Sequence, residues 1–174
     1  MQVSGFMLKE GVKRHELAAE TLRKQWKDSL FTFEGEGKEL PTTIMERIHD
    51  EELIIATLQT CQARFNLAVK VTITDGKKAR EMTLAQAVKL VGSAGELEKM
   101  WRNYAGDSGK DPYMHRAGER NKDTEYARRA VSTAVALEAA LEAAKYAASL
   151  RAAIAEGNST KMDSEAIGLN PQML

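Results

Sequence analysis

The chain has 174 residues, in which 25 Lys and Arg residues balance 25 Asp and Glu residues. This length fits one domain with a core of its own, and the balanced charge argues against a nucleic-acid surface, which needs an unopposed positive field. The single cysteine, Cys61, excludes an intrachain disulfide, and its apolar neighbours predict that it is buried.

The sequence shows no sign of a targeting or membrane segment. Residues 1–10 lack the basic and apolar regions of a signal peptide, and no apolar run approaches the roughly 20 residues of a membrane span. We therefore expect a cytoplasmic protein, and we do not expect a membrane partner.

Two amphipathic helices are predicted in the first third of the chain. The first, at residues 7–30, has apolar residues at spacings of three and four with charged residues between them. Glycines and a proline from Glu34 to Pro41 predict a loop. Thr43 and Glu46 have the spacing of a capping box and predict a second helix at residues 42–67.

A β-hairpin is predicted next, at residues 69–82. Apolar and polar residues alternate from Val69 to Thr74, and the dipeptide Asp75-Gly76 suits a tight turn. Thr83 and Gln86 then form a second potential capping box, which predicts the start of helix three. Gly92 and Gly95 within this helix favour a kink or a close helix crossing.

The last predicted helix is long and rich in alanine. It follows an irregular segment, Gly106 to Lys122, and runs from a cap at Asp123 to a stop at Gly157-Asn158. Such a helix would span about 50 Å, whereas a compact domain of this size is only about 30 to 35 Å across. The excess length predicts that the helix protrudes or packs against another subunit, so we expect a homo-oligomer.

Three groups of residues are candidates for chemistry. Glu46 and His49 have the Glu-x-x-His spacing of di-iron helical bundles, but no second copy of this motif occurs, so a solvated pair is the simpler interpretation. Glu138 and Glu142 lie one turn apart, and two facing carboxylates could carry out acid–base chemistry or bind a cation. The same spacing also suits an ordinary exposed helix face. An anion-binding loop is a further hypothesis, carried by Lys110, His115, Arg116 and Arg120, although nearby acidic residues oppose it.

Several short motifs resemble the small bacterial helical family known as septicolysin. These are a helix that ends at Asn66, the Asp75-Gly76 hairpin, the run Thr83-Leu84-Ala85-Gln86-Ala87, and a closing helix with Leu150, Ile154, Asn158 and Thr160. Together they cover roughly half of the chain. The resemblance implies a helical bundle with a small hairpin and self-association, and it implies no catalytic residues.

The sequence therefore predicts a mainly α protein, a coiled-coil-like bundle of about four long helices with one short β-hairpin between helices two and three. Residues 1–158 would form the domain, and 159–174 a tail packed on a neighbouring subunit. We expect no catalytic residue and no cofactor, and we leave open whether the protein binds a small molecule.

An interaction or assembly role is the function that the sequence favours. The predicted interface residues of the last helix are Leu137, Leu141, Ala144 and Ile154, met by Leu22, Trp26, Ile55 and Leu58. One alternative is a membrane-active protein whose amphipathic helices rearrange onto lipid. Another is a metal-dependent helical-bundle enzyme centred on Glu46 and His49.

Overall fold

The computed structural model describes residues 1–31, 37–75, 78–106 and 130–174. Within them lie four long helices and a β-hairpin between the second and third, which confirms the predicted fold class. The helices are α1 (Gly5–Ser29), α2 (Pro41–Ala68), α3 (Leu84–Gly106) and α4 (Thr133–Ser159). The strands are β1 (Gln2–Ser4), β2 (Lys70–Asp75), β3 (Lys78–Thr83) and β4 (Lys161–Asp163).

The helix starts follow their capping residues, with one exception. The Ser4 hydroxyl accepts a hydrogen bond from the Met7 amide at 3.3 Å and caps α1. The predicted capping box of Thr43 and Glu46 is wrong, because α2 already begins at Pro41, whose fixed φ suits the first helical position.

The hairpin leads directly into α3. β2 and β3 pair from Lys70 opposite Thr83 to Asp75 opposite Lys78, and Gly76 of the predicted turn lies outside the described residues. The second capping box is confirmed, since Gln86 Oε1 accepts from the Thr83 amide at 2.9 Å and Thr83 Oγ1 accepts from the Gln86 amide at 3.2 Å. Helix α3 continues unbroken through Gly92 and Gly95, and a Cβ atom on Gly92 would meet nothing within 4 Å, so no close helix crossing occurs at Gly92.

Helix α4 is shorter than predicted. Its cap is Ser132, which accepts a hydrogen bond from the Val135 amide at 3.3 Å, and residues 130–132 are not helical. The prediction of one continuous helix from Asp123 to Gly157 is therefore wrong, and residues 107–129 lie outside the described part of the chain. The 27 residues of α4 span about 40 Å, so its length is a weaker argument for an oligomer than the sequence suggested.

The four helices form two helical hairpins, α1–α2 and α3–α4, that share one core. α1 packs along α2 and α3 packs along α4, whereas α2 touches α3, and α1 touches α4, at only a few residues. Where the hairpins meet, every helix and the sheet β2–β3 contribute to one buried cluster, whose largest members are Phe65, Leu8, Leu58, Ile73, Leu84 and Leu150.

The segment that follows α4 also packs on this core. β4 pairs antiparallel with β1, from Gln2 opposite Asp163 to Ser4 opposite Lys161. Ile167 and Leu169 are buried in the same cluster as the helices. Residues 161–169 thus contribute to the same core as residues 1–158, and a contact of the segment with a neighbouring subunit stays a prediction.

At Gly157, α4 packs tightly against β2 and the start of α3. The predicted helix stop at Gly157-Asn158 is wrong, because α4 runs through Ser159. A Cβ atom on Gly157 would lie 2.7 Å from Val71 Cγ1 and 3.1 Å from Leu84 Cδ1. The glycine is needed for this close approach and not for a left-handed turn.

We predict that Gly157→Ala destabilises the protein by about 1 to 3 kcal/mol, because the added methyl group must displace Val71 or Leu84 from a packed core. Urea unfolding followed by circular dichroism measures the change. The control is Gly92→Ala, where a Cβ meets nothing within 4 Å, and where better helix propensity should stabilise by up to about 1 kcal/mol. Equal stability of the two variants would contradict the close approach.

Candidate functional site

The buried face of α4 is lined almost entirely by small side chains. Residues at spacings of three and four face α3 and the core, and they are Ala136, Ala140, Ala143, Ala147, Leu150, Ala153 and Gly157. Small residues at these positions let the two helices pack closely along their length. This face is the inner seam of the α3–α4 hairpin.

The predicted interface residues divide between two faces of α4. Leu137 and Leu141 point away from the inner seam and are 51% and 53% exposed, and Ala144 is half-buried. Ile154 instead packs partly against the main core. Of the four, Leu137, Leu141 and Ala144 therefore lie together on the outside of α4, and Ile154 does not join them.

The predicted partners of α4 from the other helices lie in two different clusters, and only Ile55 and Leu58 are in the cluster that includes Leu150 and Ile154 of α4. Leu22 forms a separate apolar cluster with Ile44 and Ile48, against which Trp26 packs. Leu58 is completely buried in the main core, and Ile55 packs against the same core. Leu22 and Trp26 thus stabilise the α1–α2 hairpin, so the prediction that they meet α4 is wrong.

An apolar stripe runs along the outside of α4. It consists of Ala134, Leu137, Leu141, Ala144 and Ala148, again at spacings of three and four. We call it the outer stripe. Glu138 and Lys145 border it on one side, and both are exposed and form no ion pair within the described residues. A line of apolar residues flanked by charge is the usual surface pattern of a helix that contacts another helix.

The Glu46 and His49 side chains lie on the exposed side of α2. Across the described ranges, no three His, Cys, Asp or Glu side chains lie close enough together to hold a metal ion. The pair has the expected helical spacing but no third ligand there. Glu138 and Glu142 are likewise exposed on α4, as a solvated helix face requires.

The predicted anion-binding loop lies outside the described residues. Lys110, His115, Arg116 and Arg120 all lie between residues 107 and 129, outside the described part of the chain. The loop remains a hypothesis from the sequence.

Cys61 is buried, as predicted. Burial raises the pKa of the Cys61 thiol, and Arg64 opposes this shift only in part. A thiol held in its neutral form is a poor nucleophile, so Cys61 serves as a small apolar core residue.

His15 connects three parts of the chain. Its Nδ1 atom lies 2.5 Å from Glu51 Oε2 on α2, and its Nε2 atom lies 3.0 Å from the Met173 carbonyl oxygen. Through these two contacts His15 links α1 to α2 and to the C-terminal segment. These partners are 36 and 158 residues away in the chain, so no local sequence pattern predicts the contacts.

Two surface grooves accompany these features. One, of about 860 Å³, lies beside β3 and the start of α3 and is lined by Leu67, Met82 and Leu90 among others. The other, of about 590 Å³, lies along α1 beside Gly11, Leu17 and Leu174. The first groove is also lined by Arg80, Glu81, Thr83 and Lys89, and the second by Glu10, Lys13 and Arg14.

Comparisons with protein-family models, with curated proteins and with solved structures find no match for this chain. The resemblance to the septicolysin family therefore stays a prediction. Within the described residues, no helix is both long and apolar enough to cross a bilayer.

We predict that zinc or ferrous iron shifts the Tm of the purified protein by less than about 1 °C, because a two-ligand exposed site binds metal too weakly to stabilise the fold. Differential scanning fluorimetry with and without metal measures the shift, and His49→Ala is the control. A larger shift that disappears in His49→Ala would show that Glu46 and His49 do form a metal site.

Proposed function

We propose that this protein is a self-associating helical module, and that the outer stripe of α4 is the surface through which copies meet. The observation that carries the proposal is the exposure of Leu137 and Leu141 within a stripe that has no polar residue from Ala134 to Ala148. Two leucines one turn apart on a single line are better explained by a partner helix than by solvent.

The strength of this contact can be bounded from the exposed leucines. Fully burying one leucine contributes about 2 kcal/mol, and Leu137 and Leu141 are already half covered. Two copies would thus gain about 4 kcal/mol from their four leucines, near the lower end of what association costs in lost freedom. We therefore propose a concentration-dependent oligomer, strengthened by contacts outside the stripe.

A membrane-active role, as the septicolysin-like resemblance would have it, is the alternative proposal. The two apolar faces of α4 are mostly alanine, and the charged face mixes Glu138 and Glu142 with Lys145. Membrane-surface helices usually combine a basic face with large apolar side chains. The composition of α4 therefore favours a protein partner, and a liposome leakage assay at micromolar protein distinguishes the two.

We predict that Leu141→Glu dissociates the oligomer into monomers without unfolding them, because a carboxylate at a half-exposed position is tolerated in the monomer but not in a contact between helices. Native mass spectrometry over a range of protein concentrations gives the subunit number, and circular dichroism gives the Tm. The matched control is Leu53→Glu, at an exposed leucine on α2.

The Leu53→Glu control should keep the subunit number of the wild-type protein. A Leu141→Glu variant that keeps both the wild-type mass and the wild-type Tm would contradict the proposed surface. A wild-type protein that is monomeric at every concentration would contradict self-association itself.

A further inference from the structure

The outer stripe has the spacing of a coiled-coil seam. From Ala134 to Ala148 the steps are three, four, three and four residues, so these residues occupy alternating a and d positions of a heptad. In this register Glu138 and Lys145 both fall on position e, on the same side of the seam. Position g holds Ala140 and Ala147, which are buried in the inner seam against α3.

The sizes of the stripe residues differ between its two ends. Leu137 and Leu141 stand towards the start of α4, and Ala144 and Ala148 stand towards its end. A parallel pair of α4 helices would place leucine against leucine at one end and alanine against alanine at the other. The distance between the two helix axes would then have to differ between the two ends. An antiparallel pair places each leucine against an alanine, so the packing is even along the whole seam.

The charges give the same orientation. In an antiparallel pair the e position of one helix faces the e position of the other, whereas in a parallel pair e faces g. Only the antiparallel pair therefore brings Glu138 of each copy near Lys145 of the other. Both side chains are exposed and without an ion-pair partner in the part of the chain that the structure describes.

We infer that the occupant of the outer stripe is a second copy of this chain, packed antiparallel against α4 about a two-fold axis. Leu137 and Leu141 then meet Ala148 and Ala144 of the second copy, and Glu138 pairs with its Lys145. The two-fold axis produces each contact twice, as in any isologous dimer. Arg151, the next residue on the stripe, ends the seam. This inference rests on the proposed self-association.

A charge-exchange cycle tests the orientation. The variants are Glu138→Lys, Lys145→Glu and the double variant with both changes, and sedimentation equilibrium gives the dimer Kd of each. Every single reversal turns two weak attractions into two weak repulsions, so each should raise the Kd about tenfold. The double variant restores both pairs and should return the Kd to within about twofold of the wild-type value.

A disulfide test gives the geometry independently. A mixture of Glu138→Cys and Lys145→Cys proteins should form a cross-linked heterodimer on mild oxidation. Neither variant alone should do so, because seven residues of helix separate the like positions in an antiparallel pair by about 10 Å.

The outcomes separate this inference from the proposal on which it rests. A wild-type monomer at all concentrations overturns both. A dimer that Leu141→Glu disrupts, but whose double charge variant stays as weak as the singles, overturns the antiparallel orientation alone. Cross-linking of Glu138→Cys with itself would contradict the antiparallel register, which holds the two Glu138 positions about 10 Å apart along the seam. A complex with a different protein in place of a homodimer would contradict a second copy of the chain as the partner.

Discussion

Close approach of α4 to its neighbours is the constraint on which the rest of the structure depends. Because the inner seam holds alanines and Gly157, α4 can lie near α3 along its length and against Val71 of the sheet at its end. That geometry places Leu150 in the shared core and turns Leu137 and Leu141 outwards. The small side chains that let α4 pack on α3 thus also determine which leucines of α4 stay exposed and can contact a partner.

The sequence predicted the parts of this fold that local patterns specify. Helices one to three, the hairpin and the Thr83–Gln86 capping box all arise from contacts between residues close in the chain. The strands β1 and β4 were missed because three residues are too few to show alternation, and their pairing joins residues about 160 positions apart. The contacts of His15 with Glu51 and Met173 were missed because they also join residues that are far apart in the chain.

The candidate surface was predicted only in part, and the cause is the composition of α4. Alanine occupies positions on every side of this helix, so periodicity finds more than one apolar stripe and cannot choose the buried one. Leu137, Leu141 and Ile154 were placed on one face from the sequence, whereas the packing of α3 separates Ile154 from the two others. The start of α4 was misplaced because Asp123 and Ser132 are equally good caps in isolation.

The small cluster of Leu22, Ile44 and Ile48 is separate from the main core, and this has a consequence for cooperativity. Opening that end of the α1–α2 pair exposes this cluster and the side chain of Trp26 beside it, while the shared core stays intact. The free energy of such a local opening is necessarily smaller than that of global unfolding. Backbone amides near Trp26 and Ile44 should therefore exchange with solvent through partial unfolding, and those near Phe65 and Leu150 only when the whole molecule unfolds.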